Sequence, residues 1–425
     1  MAYIVPGLFG RDPWKNADIT AFGYMAALAQ GATSWTQPLV GGLRTDSGVL
    51  SYWLGALFIQ GLSPFVSPAL AARIPFALLL GLALMLTWYA TYHLARNPSA
   101  LPLPLAFGGE AQPKDYGRAV ADGSVLAMIA TLGLLQLGHE TTPELLQLFS
   151  VSLFLYGLAA FPFRKWKACA ALLLPLPLLA MSGGPSIALA LGVGSLLACW
   201  TVADQETRPA MIWIVIGAAL AALAAWGGEA WAWRIADAWD DARWGSILRL
   251  LAWFPWPGWL LALWTLWRWR RHWRERHILF PVIVYTVSLG ASLAMGGADR
   301  ALMLGIPALA CLAAFALPTL GRTTSAAIDW FSVLFYSLCA STVWVVYVAL
   351  QTGFPRQTLS NIRRLVPGFE PQFSLPALLF AITATSAWIG SSAACHVRWW
   401  PVTQLSHGFR PRATRWMCRC VCLPT

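Results

Sequence analysis

Long apolar runs separated by short polar segments extend over almost the whole chain. The longest runs approach the roughly 20 residues that cross the hydrocarbon core of a bilayer. They cover residues 74–94, 211–226, 301–317, 331–350 and 375–394. With the shorter apolar runs between them, the pattern predicts an all-α, polytopic membrane helix bundle. We expect about twelve transmembrane spans, the first of them truncated to a stub at residues 1–9.

Composition supports a membrane protein and argues against a soluble one. Hydrophobic residues make up 58% of the 425 positions and charged residues only 11%. A water-soluble fold could not bury so much apolar surface. The net charge of +11 would also suit a nucleic-acid partner, but the basic residues concentrate in every other loop. The positive-inside rule explains that alternation. We therefore expect a multi-pass protein of the inner (plasma) membrane that contacts lipids and binds no nucleic acid.

Two regions are expected along the chain. Residues 1–395 keep the pattern of spans and are predicted to form one transmembrane domain, whereas residues 396–425 form an irregular, basic, Cys-containing tail. Residues 11–68 are predicted to be an outside loop with two short helices. The first starts near Asn16 or Asp18 and carries Ile19, Phe22, Met25 and Ala29 on its apolar side, and the second covers residues 49–62. Residues 97–121 and 228–249 are expected to be loops.

Three acidic residues lie next to predicted helix starts on the outside. A carboxylate is costly near lipid unless it is solvated or used. Asp18, Asp46 and Glu144 are therefore candidates for a site, although they are far apart in sequence. Simpler interpretations stay open, because Asp46 is suited to capping the next helix and Glu144 follows Pro143 in a first helical turn.

Motifs of soluble chemistry are missing. The sequence contains neither a Gly-rich phosphate loop nor an HExxH or GxSxG signature. His139 next to Glu140 has no second His nearby, so no metal site is predicted there.

Several short segments resemble, in order and spacing, motifs of the polyprenyl-phosphate-sugar glycosyltransferases. This membrane family includes lipid A aminoarabinose transferase and the protein mannosyltransferases. The similar segments are 17–20 (Ala-Asp-Ile-Thr), 35–38, 46–53 (Asp-Ser-Gly-Val-Leu-Ser-Tyr-Trp), 72–75 (Ala-Arg-Ile-Pro), 142–144, 184–185 and 300–307. The likeness extends over about residues 6–317 and is strongest in the first hundred.

The resemblance implies a GT-C fold, a helical bundle with the active site in the first outside loop. It also implies a function, the transfer of a sugar from a polyprenyl-phosphate donor to a lipid (lipid A-like) or protein acceptor on the outer face of the membrane. Asp18 would be the general base that takes the acceptor's proton. Asp46 and Glu144 would position substrate or hold a divalent cation.

The departing phosphate needs positive charge, because it gains negative charge as the sugar leaves. Arg300 matches the basic position of the family's motif, and Arg44 and Arg73 are further candidates for phosphate binding.

The chain also departs from the family's motifs. Ile19 stands where the second acid would be, and residues 47–49 replace a Lys-Pro-Pro segment. Gly183 replaces the Lys of a Lys-Gly-Pro turn, and Ala301 replaces a Tyr. Two lysines suited to phosphate binding are therefore absent from these positions. A non-catalytic or degenerate GT-C scaffold, or a transporter or flippase of lipid-linked material, stays open as an alternative.

Overall fold

The computed structural model describes residues 3–9, 12–13, 15–45, 48–101, 112–202, 205–228, 241–366 and 368–404. These residues are largely helical, as predicted. The chain divides into two compact units, Met1–Thr319 and Leu320–Thr425. The predicted boundary at residue 395 stays a prediction.

The helices of the first unit are α1 (Asn16–Ala29), α2 (Leu50–Leu62), α3 (Pro68–Ala95), α4 (Pro113–Ala130), α5 (Leu132–Leu137), α6 (Pro143–Ala160), α7 (Lys165–Leu173), α8 (Pro175–Met181), α9 (Pro185–Thr201), α10 (Ala210–Gly227), α11 (Asp241–Trp253), α12 (Gly258–Arg268), α13 (Arg276–Ala294), α14 (Asp299–Met303) and α15 (Ile306–Ala316). The second unit contains α16 (Arg322–Thr352), α17 (Arg356–Leu365) and α18 (Leu375–Gln404).

Five described helices are long and apolar enough to cross a membrane. They are Pro68–Ala95, Pro143–Ala160, Ala210–Gly227, Arg276–Ala294 and Ala326–Thr352. The pair Trp244–Trp253 and Gly258–Arg268, bent by 84°, would make a sixth span. By this measure the described residues do not reach the predicted count of about twelve, because other apolar runs are short or broken. The run 301–317, for instance, is divided between α14 and α15.

The outward surfaces of these helices suit lipid. On α10, Ile212 and Leu223 expose 64% and 68% of their surface, whereas Ile214 on the opposite side is fully buried. Such apolar surface would be unfavourable in water but is covered by lipid chains within a bilayer. The protein is a multi-pass integral membrane protein.

The long helix α3 is the centre of the first unit and packs against α4, α6 and α15. It starts at Pro68, where the Ser67 hydroxyl accepts a hydrogen bond from the Leu70 N–H at 3.4 Å. The apolar run 74–94 had suggested that Arg73 lies at the start of this helix. Because the helix starts at Pro68, Arg73 lies inside it. The helix ends before the Asn97–Pro98 step, because a residue that precedes proline disfavours helical backbone.

Two predicted loops were partly wrong, because each contains a helix. α4 starts at Pro113, inside the predicted loop 97–121, and α11 occupies 241–253, partly inside the predicted loop 228–249. Proline is well suited to the first turn of a helix, and Asp115 stabilises the same turn through the helix dipole. The residues 102–111 and 229–240 lie outside the described parts of the chain.

The segment before α3 contains the two short helices expected there, α1 and α2. Of the apolar face predicted for α1, Met25 is buried and Phe22 and Ala29 are partly buried, whereas Ile19 is 49% exposed. The carboxylate of Asp18 is turned inward with Met25, and Ile19 next to it consequently points outward.

A small hairpin that the sequence pattern had not predicted follows α1. Strand β1 (Leu39–Val40) pairs antiparallel with β2 (Leu43–Arg44). Gly41 and Gly42, with φ angles of 59° and 79°, form the connecting turn. Two consecutive positive φ angles are what a tight hairpin turn of this hand requires, and glycine adopts them without strain.

Candidate active site

Three segments that are distant in sequence meet at one end of the first unit: the start of α1, the turn 138–142 before α6, and α14. Asp18 connects two of them. Its side chain is buried, and its Oδ1 accepts hydrogen bonds from the Thr141 N–H at 2.9 Å and from the Thr141 hydroxyl. The location of Asp18 in the first turn of α1 also favours a negative charge. The turn 138–142 is thereby fixed to the start of α1.

The carboxylate of Glu140 bridges two cations. Its Oε1 accepts a hydrogen bond from Lys15 Nζ at 2.6 Å, and its Oε2 accepts one from Arg300 Nη2 at 2.6 Å. Arg300 Nη1 also donates to Glu144 Oε2 at 3.1 Å and to Thr142 Oγ1 at 3.0 Å. We refer to Lys15, Glu140, Glu144 and Arg300 as the ion-pair cluster.

The ion-pair cluster is balanced in charge, with two cations and two carboxylates. Burial by itself would lower the pKa of Arg300, but the charges of Glu144 and Glu140 outweigh this and raise that pKa above its ordinary value. The side chain of Glu140 is fully buried, whereas Glu144 is 23% exposed. Arg300 is thus held tightly on one side and meets an accessible partner on the other.

A narrow cleft lies beside the ion-pair cluster. Arg73, which is 5% exposed, lines it together with Glu140. The segment 3–9 closes one side, since a Cβ on Gly7 would lie only 2.2 Å from His139 Nδ1. The Tyr3 ring centroid is 5.1 Å from that of His139. The close packing of this segment leaves a cavity of about 10 Å³, which is about enough for one water molecule.

Four of the predicted site residues lie in this region. Glu144 and Arg300 are bonded to each other, Asp18 is bonded to the adjacent turn, and Arg73 lines the cleft. Arg44 lies exposed on β2, and no described contact joins it to the ion-pair cluster. Asp46 lies outside the described residues. The roles assigned to all of them stay predictions.

Sequence reasoning missed Lys15 and Glu140 as site residues. Lys15 precedes Asp18 by three residues, and Glu140 had been considered only with His139 as a metal ligand. The available signal was proximity in sequence, because Lys15 is close to Asp18 and Glu140 is close to Glu144.

The described carboxylates do not fit a divalent cation. Within the described ranges, no group of three or more His, Cys, Asp or Glu side chains is placed to hold a metal ion. Glu140 is bonded to two cations of the protein itself, and Glu144 to one.

Two of the departures from the family's motifs are adjacent in space. A Cβ on Gly48 would lie 1.9 Å from the Met181 carbonyl oxygen and 2.5 Å from Gly183 N. The turn at Gly183, with φ of 94°, is also held by Gln147 Nε2, which donates to the Ser182 carbonyl at 2.8 Å. Backbone at Gly48 thus packs directly against backbone at 181–183, and no side chain fits between them.

The helical architecture defines a polytopic membrane protein with a GT-C fold. In particular, the chain is similar to ArnT from Cupriavidus metallidurans. The similarity to ArnT bound to undecaprenyl phosphate has a TM-score of 0.58 at 14% identity and covers 82% of this chain and 63% of that one. For ArnT in the apo state the TM-score is 0.56 at 15% identity, with 82% and 62% covered.

The similarity confirms the fold that the sequence resemblance implied. At such low identity the likeness concerns the fold alone, and this chain spans less than two thirds of the length of those proteins. No family model and no curated protein sequence matches the chain.

Proposed function

We propose that this protein transfers a sugar from a polyprenyl-phosphate donor to a lipid (lipid A-like) or protein acceptor. The reaction takes place at the outer face of the inner (plasma) membrane, where residues 11–68 are placed by this proposal. The observation that carries it is the ion-pair cluster beside the buried carboxylate of Asp18. The similarity in fold to ArnT, whose structure contains undecaprenyl phosphate, supports the lipid class of the donor.

Asp18 is the proposed general base. An acceptor hydroxyl or amine must lose its proton as it attacks the anomeric carbon, and a fixed carboxylate receives it. Thr141 binds Oδ1, whereas Oδ2 accepts no hydrogen bond from the described residues. One oxygen therefore orients the carboxylate, and the other is available to the acceptor. The new glycosidic bond forms as the bond to phosphate breaks, with inversion at the anomeric carbon.

Arg300 is the proposed partner of the leaving phosphate, which takes the electron pair of the broken bond. The guanidinium group of Arg300 already binds the carboxylates of Glu140 and Glu144, so the phosphate must displace one of these two carboxylates. Glu144 is the easier to displace, because its bond of 3.1 Å is longer and its side chain is 23% exposed. Glu140 then keeps Arg300 in place. Arg73, which lines the cleft next to Glu140, is the proposed second positive charge for the phosphate.

Replacing Asp18 with Asn tests the proposal. The Asn carbonyl oxygen can still accept from Thr141, so the fold should survive while the base is lost. Sugar transfer is measured in proteoliposomes supplied with a polyprenyl-phosphate sugar and an outer-face acceptor.

A matched control is Asp115→Asn, the same change in the first turn of α4, where Asp115 accepts only an exposed bond of 3.4 Å from Arg118. Asp18→Asn is expected to abolish transfer, and Asp115→Asn to leave it unchanged. Transfer by Asp18→Asn at the wild-type rate would remove Asp18 from the mechanism.

A further inference from the structure

In the second unit, hydrogen bonds join α16 to α18 and to the segment before it. Trp344 Nε1 on α16 donates a hydrogen bond to Thr385 Oγ1 on α18 at 3.0 Å. Near the connection between the helices, the Ser374 N–H donates to Gln351 Oε1 at 2.6 Å. α16 contains a candidate membrane span that ends at Thr352, and α18 starts with an apolar segment at Leu375. The connection 353–374, which includes α17, therefore lies where the pair leaves the membrane.

The helix α17 has two different faces. Leu359 is buried and Ile362 is half-buried on one side. The adjacent side carries three exposed arginines, Arg356, Arg363 and Arg364. Their spacing of seven and eight residues corresponds to two helical turns and places them in one stripe. A short helix with an apolar and a basic side is typical of a segment that lies along a membrane surface.

The three arginines line one open groove of about 470 Å³ at the start of α17, together with Gly353, Leu359 and Ser360. No carboxylate balances them there. The segment 353–374 contains a single acid, Glu370, and no ion pair is described for any of the three arginines. Arg363 Nε donates only a long bond of 3.4 Å to the Phe369 carbonyl. Clustered like charges are unfavourable unless an anion binds between them.

We infer that this α17 groove binds the headgroup phosphate of an anionic phospholipid. Arginine matches a phosphate group with paired hydrogen bonds, which a lone point charge does not provide. Apolar side chains next to the groove distinguish a lipid from a free phosphate ion. Phe354, Leu365 and Phe373 are 70%, 84% and 64% exposed, in reach of the acyl chains at the surface of the bilayer.

Lipid binding to the full chain in detergent is measured by native mass spectrometry during titration with phosphatidylglycerol. The test variant replaces Arg356, Arg363 and Arg364 with Gln. Each basic residue at an anionic membrane surface contributes about fivefold in affinity. The loss of all three should therefore weaken the binding of phosphatidylglycerol roughly a hundredfold. Binding of phosphatidylcholine should not change. All three side chains are exposed, and an unchanged melting temperature verifies that the variant is folded.

The control variant replaces Lys114, Arg118 and Arg208 with Gln, which removes the same charge from exposed positions that do not line the α17 groove. It should bind phosphatidylglycerol within about twofold of the wild type. Equal weakening in both variants, or no weakening in the test variant, overturns the proposal. So does competition by inorganic phosphate at the concentrations at which the lipid binds, because the groove would then be a site for a small anion.

Discussion

The replacement of Glu140 with Gln tests the ion-pair cluster most directly. The side chain of Glu140 is fully buried and receives bonds of 2.6 Å from both Lys15 and Arg300. Gln has the same shape but no charge, and its amide group would place a donor against one of the two cations. Removing one partner of a buried ion pair destabilises a protein by about 3–5 kcal/mol. Since Lys15 and Arg300 remain 28% and 23% exposed, water can reach them, and we expect about 3 kcal/mol.

The assay is thermal unfolding of the full chain in detergent, followed with a dye that fluoresces when it reacts with thiols. Cys199 and Cys311 are buried free thiols and report unfolding of the first unit. With about 2 °C for each kcal/mol in a unit of this size, Glu140→Gln should lower the melting temperature by about 6 °C. The comparison is made at one scan rate, because membrane proteins of this size often unfold irreversibly.

Glu144→Gln is the matched control for this experiment. Glu144 has one ion-pair bond of 3.1 Å and is 23% exposed, so its loss should lower the melting temperature by only about 2 °C, or about 1 kcal/mol. The bridging role of Glu140 would be refuted if Glu140→Gln melted at the wild-type temperature. It would also be refuted if Glu144→Gln lowered the melting temperature more than Glu140→Gln does.

Two further replacements probe the surroundings of the site. Gly48→Ala should destabilise the protein by about 1–3 kcal/mol, because its Cβ would collide with the Met181 carbonyl oxygen. Gly61→Ala, whose Cβ meets nothing within 4 Å, is the control in the same melting assay, and equal melting of the two would contradict the packing described here. Thr141→Val removes the hydroxyl that binds Asp18 and should lower the transfer rate about tenfold, or about 1.4 kcal/mol. A wild-type rate in the proteoliposome assay would show that the backbone N–H alone positions the carboxylate.

Features that depend on local sequence were largely predictable. Apolar length identified membrane-spanning helices such as α3 and α10, because a helix in lipid must satisfy its own backbone hydrogen bonds and present apolar side chains outward. Pro143 marked the start of α6, and the glycines at 183–184 marked the turn before α9. The resemblance in short motifs also indicated the fold, which the similarity to ArnT confirms.

Contacts between distant segments were decided only by the tertiary structure. Lys15 and Glu140 are separated by 125 positions, and no periodicity links them. The exposure of Ile19 was mispredicted for the same reason, since the bond from Thr141 to Asp18 turns that carboxylate inward. A hydrophobic pattern reports how one helix meets an apolar environment, whereas a buried charge is stable only where packing brings its partners within hydrogen-bonding distance. Spans such as α3 and α10 therefore follow from the sequence alone, and the site follows from the way the helices pack.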